Sequence, residues 1–175
     1  MNIIETLQND GVGVLATDTV YGVVGRLLSS TAIERMYQVK HRNPQKPVGT
    51  VLIASTDQLD GIVDKKLLNR AEKYWPGPVS IVLPVSGLDY AHKGLGSLPF
   101  RIPDDERLIS LLEQTGPLAT SSANIESQPP ATTIEQAKQY FVDAVDFYED
   151  GGDSSDKTPS KIIKITDDGV QEIRS

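Results

Sequence analysis

Residues 104–124 read Asp-Asp-Glu-Arg-Leu-Ile-Ser-Leu-Leu-Glu-Gln-Thr-Gly-Pro-Leu-Ala-Thr-Ser-Ser-Ala-Asn. Asp104 is placed to cap a helix that runs through Gln114, with Leu108, Leu111 and Leu112 as its apolar stripe. Gly116 stops that helix. Leu118 to Ser121 follows as a short strand, and Thr120, Ser121, Ser122 and Asn124 put small polar groups at its end. Helix, turn, strand and polar loop make the repeating unit of an α/β domain. In open α/β sheets the loops at strand ends form the ligand crevice.

The same alternation extends to both sides. Val12 to Ala16 reads as a strand, and Thr31 to Lys40 as a helix capped by Ser30, with Ile33, Met36 and Tyr37 on one face. Val48 to Ala54 reads as a buried strand, Lys65 to Tyr74 as a helix begun by Asp64, and Val79 to Leu83 as a strand. Thr133 caps Ile134 to Phe141. Ala144 to Tyr148, Lys161 to Ile165 and Val170 to Ile173 complete the sheet, the last two joined by a hairpin at Asp167-Asp168-Gly169. A hairpin among crossover connections makes the sheet mixed. The expected architecture is a single α/β domain over residues 1–175.

Composition narrows the class. With 38% hydrophobic residues the 175-residue chain can build a core. No apolar run approaches the roughly 20 residues that span a bilayer. Met1 to Gly11 lacks the basic stretch of a secretory signal. The chain has no cysteine, which excludes disulfides and thiolate metal sites. These features suit the cytoplasm. The formal charge of −7 disfavours general nucleic-acid binding, although a few cations converging in one cleft would still make a positive site.

Several segments carry candidate chemistry. Ala16-Thr17-Asp18-Thr19-Val20-Tyr21-Gly22 follows a strand and offers hydroxyls and a carboxylate to a polar ligand, or else satisfies its own backbone as a turn. Lys40-His41-Arg42-Asn43-Pro44-Gln45-Lys46-Pro47 holds Lys40, Arg42 and Lys46 in a proline-bounded loop suited to a polyphosphate, or forms a solvated helix end. Trp75, in Trp-Pro-Gly-Pro-Val-Ser ending at Ser80, reads as packing. Arg101, in Ser97-Leu98-Pro99-Phe100-Arg101-Ile102-Pro103, interrupts an apolar run and needs a carboxylate partner, internal or from a substrate. The small residues after Leu118 can cradle phosphate or carboxylate. His41 and His92 are the only histidines, too few for a histidine metal site or a well-supported Ser-His-Asp triad. Gly151 to Asp156 reads as flexible.

Taken in this order, Thr-Asp-Thr-Val-Tyr-Gly, Lys-x-Arg, Trp-Pro-Gly-Pro-Val-Ser, Arg-Ile-Pro-Asp and Ser-Ala-Asn resemble the YrdC-like family, the threonylcarbamoyl-AMP synthases. The match runs from about Gly11 to Arg174 and is similar to the short form that lacks an extra C-terminal domain. The resemblance implies a twisted mixed β-sheet flanked by helices around a deep central cleft with two half-sites. It implies threonine binding by Thr19, Arg101, Thr120 and Ser160, and ATP binding by Arg42, Lys46, Ser97, Ser122, Asn124, Pro130 and Arg174. Lys40 and Arg42 would stabilise charge during the reaction, with no general base assigned and no metal held by protein ligands. Ala16 replaces the family's usual proline, Val51 a frequent histidine, Glu126-Ser127 a Ser-Gly pair, and Ser160-Lys161 a Ser-Thr pair.

The implied activity is that of a nucleotidyltransferase in tRNA processing. It would make L-threonylcarbamoyladenylate and pyrophosphate from L-threonine, bicarbonate and ATP with Mg2+, for the N6-threonylcarbamoyladenosine modification at tRNA position 37. Downstream tRNA-modifying transferase proteins would be its partners. Two other readings are a double-stranded RNA-binding module and a relative acting on another carbamoyl substrate, like the YrdC-like domain of hydrogenase maturation. The acidic charge argues against the first as a sole role. The second domain normally sits in a larger chain.

Overall fold

Val14 and Leu15 are adjacent, fully buried, and belong to different hydrophobic clusters. Val23 and Val24, then Val51 and Leu52, repeat the pattern. Successive strand residues point to opposite faces, so these pairs mean a sheet covered on both sides. The computed structural model describes residues 2–166 and 168–175. Among them are strands β1 (Gly13–Ala16), β2 (Tyr21–Arg26), β3 (Val51–Leu52), β4 (Val79–Pro84), β5 (Ser97–Arg101), β6 (Leu118–Ser122), β7 (Phe147–Glu149), β8 (Lys161–Thr166) and β9 (Gly169–Arg174). They form one twisted sheet in the order β7-β1-β2-β6-β3-β5-β4-β8-β9. Pairs β1–β7, β3–β5 and β4–β8 are parallel and the other pairs antiparallel. This is the mixed α/β sheet expected from the sequence.

Helices α1 (Ile3–Gln8), α2 (Ser30–Lys40), α3 (Lys65–Ala71), α4 (Asp89–His92), α5 (Glu106–Thr115) and α6 (Ile134–Phe141) cover the faces. On one side Leu108, Leu111 and Leu112 of α5 pack with Leu7, Leu15 and Leu118. On the other, Ile33 and Met36 of α2 and Ile134 and Phe141 of α6 join the larger cluster. Trp75 packs into the same cluster, and its indole N–H donates to the Val79 carbonyl at 2.7 Å.

Several boundaries differ from the sequence reading. Ser29, not Ser30, caps α2 by accepting from the Ala32 N–H at 3.1 Å. Asp105, not Asp104, caps α5 through the Leu108 N–H at 3.1 Å, while the Asp104 N–H donates to the Asp18 carboxylate at 3.3 Å. Only Val51–Leu52 of the expected Val48 to Ala54 strand forms a ladder. A Cβ at Gly49 would collide with the Thr120 carbonyl, and Val48 bonds instead to Ala91. Strand β2 was hidden in the Thr-Asp-Thr-Val-Tyr-Gly segment, and α1 begins on a capping box between Asn2 and Glu5 that the sequence reading missed. In the expected turn at Asp167-Asp168-Gly169, Asp167 lies outside the described residues; β8 and β9 on either side pair antiparallel.

Candidate functional site

The turn between β1 and β2 is held by one hydroxyl. Thr17 Oγ1 donates to the Val20 carbonyl at 2.6 Å and accepts from the N–H groups of Thr19 and Val20, each at 3.1 Å. The reading of this segment as a turn that satisfies its own backbone is realised in Thr17. Thr17 satisfies the backbone, and Thr19, with Oγ1 at 3.0 Å from that of Thr17, faces a cleft. The cleft has a volume of about 390 Å³ and opens where the ends of β1, β5 and β6 meet the approach to β8.

Arg101 ends β5 and is only 3% exposed. Its Nη1 donates to both oxygens of Asp18, at 2.6 and 2.5 Å, and its Nη2 lies 3.4 Å from Thr19 Oγ1. Its Nε is buried with no partner. The carboxylate demanded by the sequence is thus internal, yet the guanidinium still lines the cleft with part of its donor capacity unused.

A run of hydroxyls adjoins the same cleft. Thr120 Oγ1 donates to the Thr50 carbonyl at 2.8 Å. Thr50 Oγ1 is 2.9 Å from Ser80 Oγ, which is 2.7 Å from Ser160 Oγ. Arg174, brought in by β9, donates through Nε and Nη2 to the Ser160 carbonyl at 3.2 and 2.6 Å. Burial lowers its pKa. Arg42 reaches the cleft from beyond α2; its Nη2 donates to Pro47 O at 2.7 Å, and its guanidinium lies 5.8 Å from the Tyr37 ring. Arg42 Nε is also buried without a partner. Ser122 and Pro130 complete the same wall.

The remaining expected residues stand behind or away from this surface. Lys40 is 2% exposed, and its ammonium donates to the carbonyls of Ser122 and Asn124 and to Asn124 Oδ1. Burial first, then the Arg42 charge, lowers its pKa to about 7 against the opposing pull of Glu126. Asn124 spends its side chain on Lys40, Ser122, Ile125 and Gln128, so it builds the loop. Lys46 pairs with Glu126 at 2.5 Å on an exposed surface. That bond, with the Asn43 N–H, holds the Glu126 carboxyl below its ordinary range. Ser97 pairs with Pro84 at the opposite end of β5 from Arg101, roughly 13 Å along the strand. These four residues, which the family resemblance implied for the nucleotide pocket, are not among the residues that line this cleft.

Sequence reasoning named Asp18 as a polar group of its turn without pairing it with Arg101, and did not single out Thr50 or Ser80. A buried arginine near a Thr-Asp-Thr turn was the available signal for Asp18; nothing local marks Thr50. The expected flexible stretch after Asp150 is tied down. Tyr21, wholly buried, accepts from the Gly151 N–H at 2.8 Å and donates to the Gly152 carbonyl at 2.8 Å. Ser154 bonds to the Thr132 carbonyl at 3.0 Å, and Lys157 reaches the Thr17 carbonyl at 3.4 Å. Among the described residues no group of three or more His, Asp or Glu could hold a metal ion.

The chain is similar to known proteins in sequence and in fold. A Mycobacterium tuberculosis relative is 36% identical over 163 residues, 87% of this chain and 72% of that protein. A threonylcarbamoyl-AMP synthase of Marinobacter nauticus is 30% identical over 169 residues, 92% of this chain and 88% of that protein. The structure of Pyrococcus abyssi Sua5 complexed with L-threonine superposes with a TM-score of 0.87 at 27% identity, covering 98% of this chain. This chain spans 52% of that Sua5 chain. The family model for Sua5, YciO and YrdC proteins, described as "Telomere recombination", matches residues 5–175, and the chain belongs to that family.

Proposed function

We propose that this protein is a threonylcarbamoyl-AMP synthase. The observation that carries the reading is the lining of one cleft, where Arg42, Arg101 and Arg174 stand with the hydroxyl residues Thr19, Thr120 and Ser160. A guanidinium beside hydroxyls suits a hydroxy amino acid, and two further arginines suit a polyphosphate. Relatives named for this activity, and a neighbour solved with L-threonine, support the same reading.

In this reading the threonine amine takes up CO2 derived from bicarbonate and becomes a carbamate. A carbamate oxygen then attacks the α-phosphate of ATP and pyrophosphate leaves. Positioning and charge neutralisation do most of this work, in keeping with a lining of arginines and hydroxyls that, among the described residues, includes no histidine. Arg42 and Arg174 hold phosphate oxygens. Lys40 acts through the turn that it holds, and Ser122 presents that turn to the nucleotide. The walls offer Mg2+ no carboxylate set, so Mg2+ would sit on the phosphates of ATP, where it would neutralise charge. Transfer of the product to a tRNA-modifying protein belongs to the same proposal.

The test is pyrophosphate release with ATP and bicarbonate, offering amino acids in turn. Release should require bicarbonate and prefer threonine to valine or alanine, because unpaired buried hydroxyls penalise an apolar analogue. Equal release without any amino acid would exclude the reaction.

A further inference from the structure

We infer that Asp18 is a positioning residue for the substrate carboxylate and acts through Arg101; this rests on the threonine reading of the cleft. Asp18 is not part of the cleft lining, and its side chain is 12% exposed. It is fixed from two directions. The Thr17 hydroxyl holds the turn on either side of it, and the Asp104 N–H donates to its Oδ2 at 3.3 Å.

The way Asp18 meets Arg101 matters more than the fact that it does. Both carboxylate oxygens converge on one nitrogen, Nη1. A carboxylate laid across two nitrogens would use up a whole edge of the guanidinium. Here the edge formed by Nε and Nη2 takes no carboxylate, and its Nε, although buried, is left unsatisfied. Nε has no partner, and Nη2 has only the 3.4 Å contact to Thr19 Oγ1. That edge carries two parallel N–H bonds, the geometry that a second carboxylate requires. Asp18 therefore does two things at once. It neutralises a buried cation when the cleft lacks substrate, and it turns the guanidinium so that its free edge serves the substrate. A plain structural ion pair would do only the first.

The two roles separate by experiment. L-threonine binding is measured by calorimetry on the wild type, on Asp18→Asn, which keeps shape and one acceptor oxygen, and on Asp18→Glu, which keeps charge but shifts the carboxylate. Each is compared with L-threoninamide, which lacks the carboxylate charge. Melting temperature and ATP affinity are recorded on the same samples. The wild type should prefer the acid to the amide. In both variants the threonine Kd should rise by about tenfold or more and the preference should collapse, with ATP affinity held within about twofold. Lower melting temperatures with an unchanged acid-to-amide ratio would overturn the inference and leave a structural pair. If Asp18→Asn does not fold, Asp18→Glu decides alone by the same ratio. A wild type that binds no L-threonine would sink the threonine reading itself, whereas normal wild-type binding that neither variant alters would sink only the role of Asp18.

Discussion

Arg101 concentrates the chemistry at the scale of single residues. It is buried, half satisfied by Asp18 and half free. Arg101→Lys keeps the charge but cannot copy the fork. It should raise the threonine KM by tenfold or more, roughly the worth of a charged hydrogen bond. Because the Asp18 pair is lost as well, its melting temperature should also fall; a stable variant with normal threonine kinetics would remove Arg101 from the site. Arg42 and Lys46 separate in the same way. Lys46 is tied to Glu126 outside the cleft, so Arg42→Ala should weaken ATP binding by about 1.5–3 kcal/mol and Lys46→Ala by much less. Equal losses in a nucleotide titration would contradict the placement of Lys46. Lys40 gives a pH prediction. Its folded pKa near 7 lies below the ordinary 10.5, so between these values the unfolded chain binds more protons. Stability should therefore rise with pH across that window, and Lys40→Met should lose this increment. Melting curves of both proteins from about pH 7 to about pH 9 check the sign.

At the scale of elements, the helix caps and the β3–β6 contact carry the site. Asp105→Ala removes the cap that launches α5 and should cost about 1 kcal/mol in denaturant unfolding, with threonine and ATP KM values little changed. Gly49→Ala puts a methyl group into the Thr120 carbonyl. It should lower stability by about 1–3 kcal/mol and, by parting β3 from β6, also raise the threonine KM. Wild-type behaviour in both assays would contradict the close approach. These elements also mark the reach of the sequence. The stripe Leu108, Leu111, Leu112 and the cap Thr133 are local signals, and both helices were legible to within a residue or two. Strand β2 was not, because Tyr21–Arg26 is buried on nearly every position and offers no alternation to read. Arg101 advertised its need for a carboxylate, but the partner lies 83 positions away and only the fold brings it close. Lys40 shows the converse: its place beside Arg42 suggested a phosphate ligand, and burial behind the Ser122–Asn124 turn turns its donors inward.

Across the whole molecule, an acidic body of net charge −7 carries a cleft lined by three arginines, Arg42, Arg101 and Arg174. Arg101 is paired with Asp18, while among the described residues Arg42 and Arg174 form no salt bridge, so the cleft should attract a polyanion strongly at low salt. Nucleotide affinity should therefore weaken with ionic strength more steeply than threonine affinity, as screening lengths shrink below about 10 Å above 0.1 M salt. The sheet order brings these arginines together from β5, β9 and the loop after α2, which no stretch of sequence contains by itself. In the proposed reaction this one cleft joins the carbon of bicarbonate, L-threonine and the AMP of ATP in one adduct as pyrophosphate leaves. The most direct measurement follows the carbon of 13C-labelled bicarbonate, with ATP and L-threonine, by mass spectrometry under mildly alkaline conditions. The expected result is a single adduct that carries the label, the threonine and AMP together, formed with one pyrophosphate. AMP and pyrophosphate appearing without label in any threonine-containing adduct would contradict it.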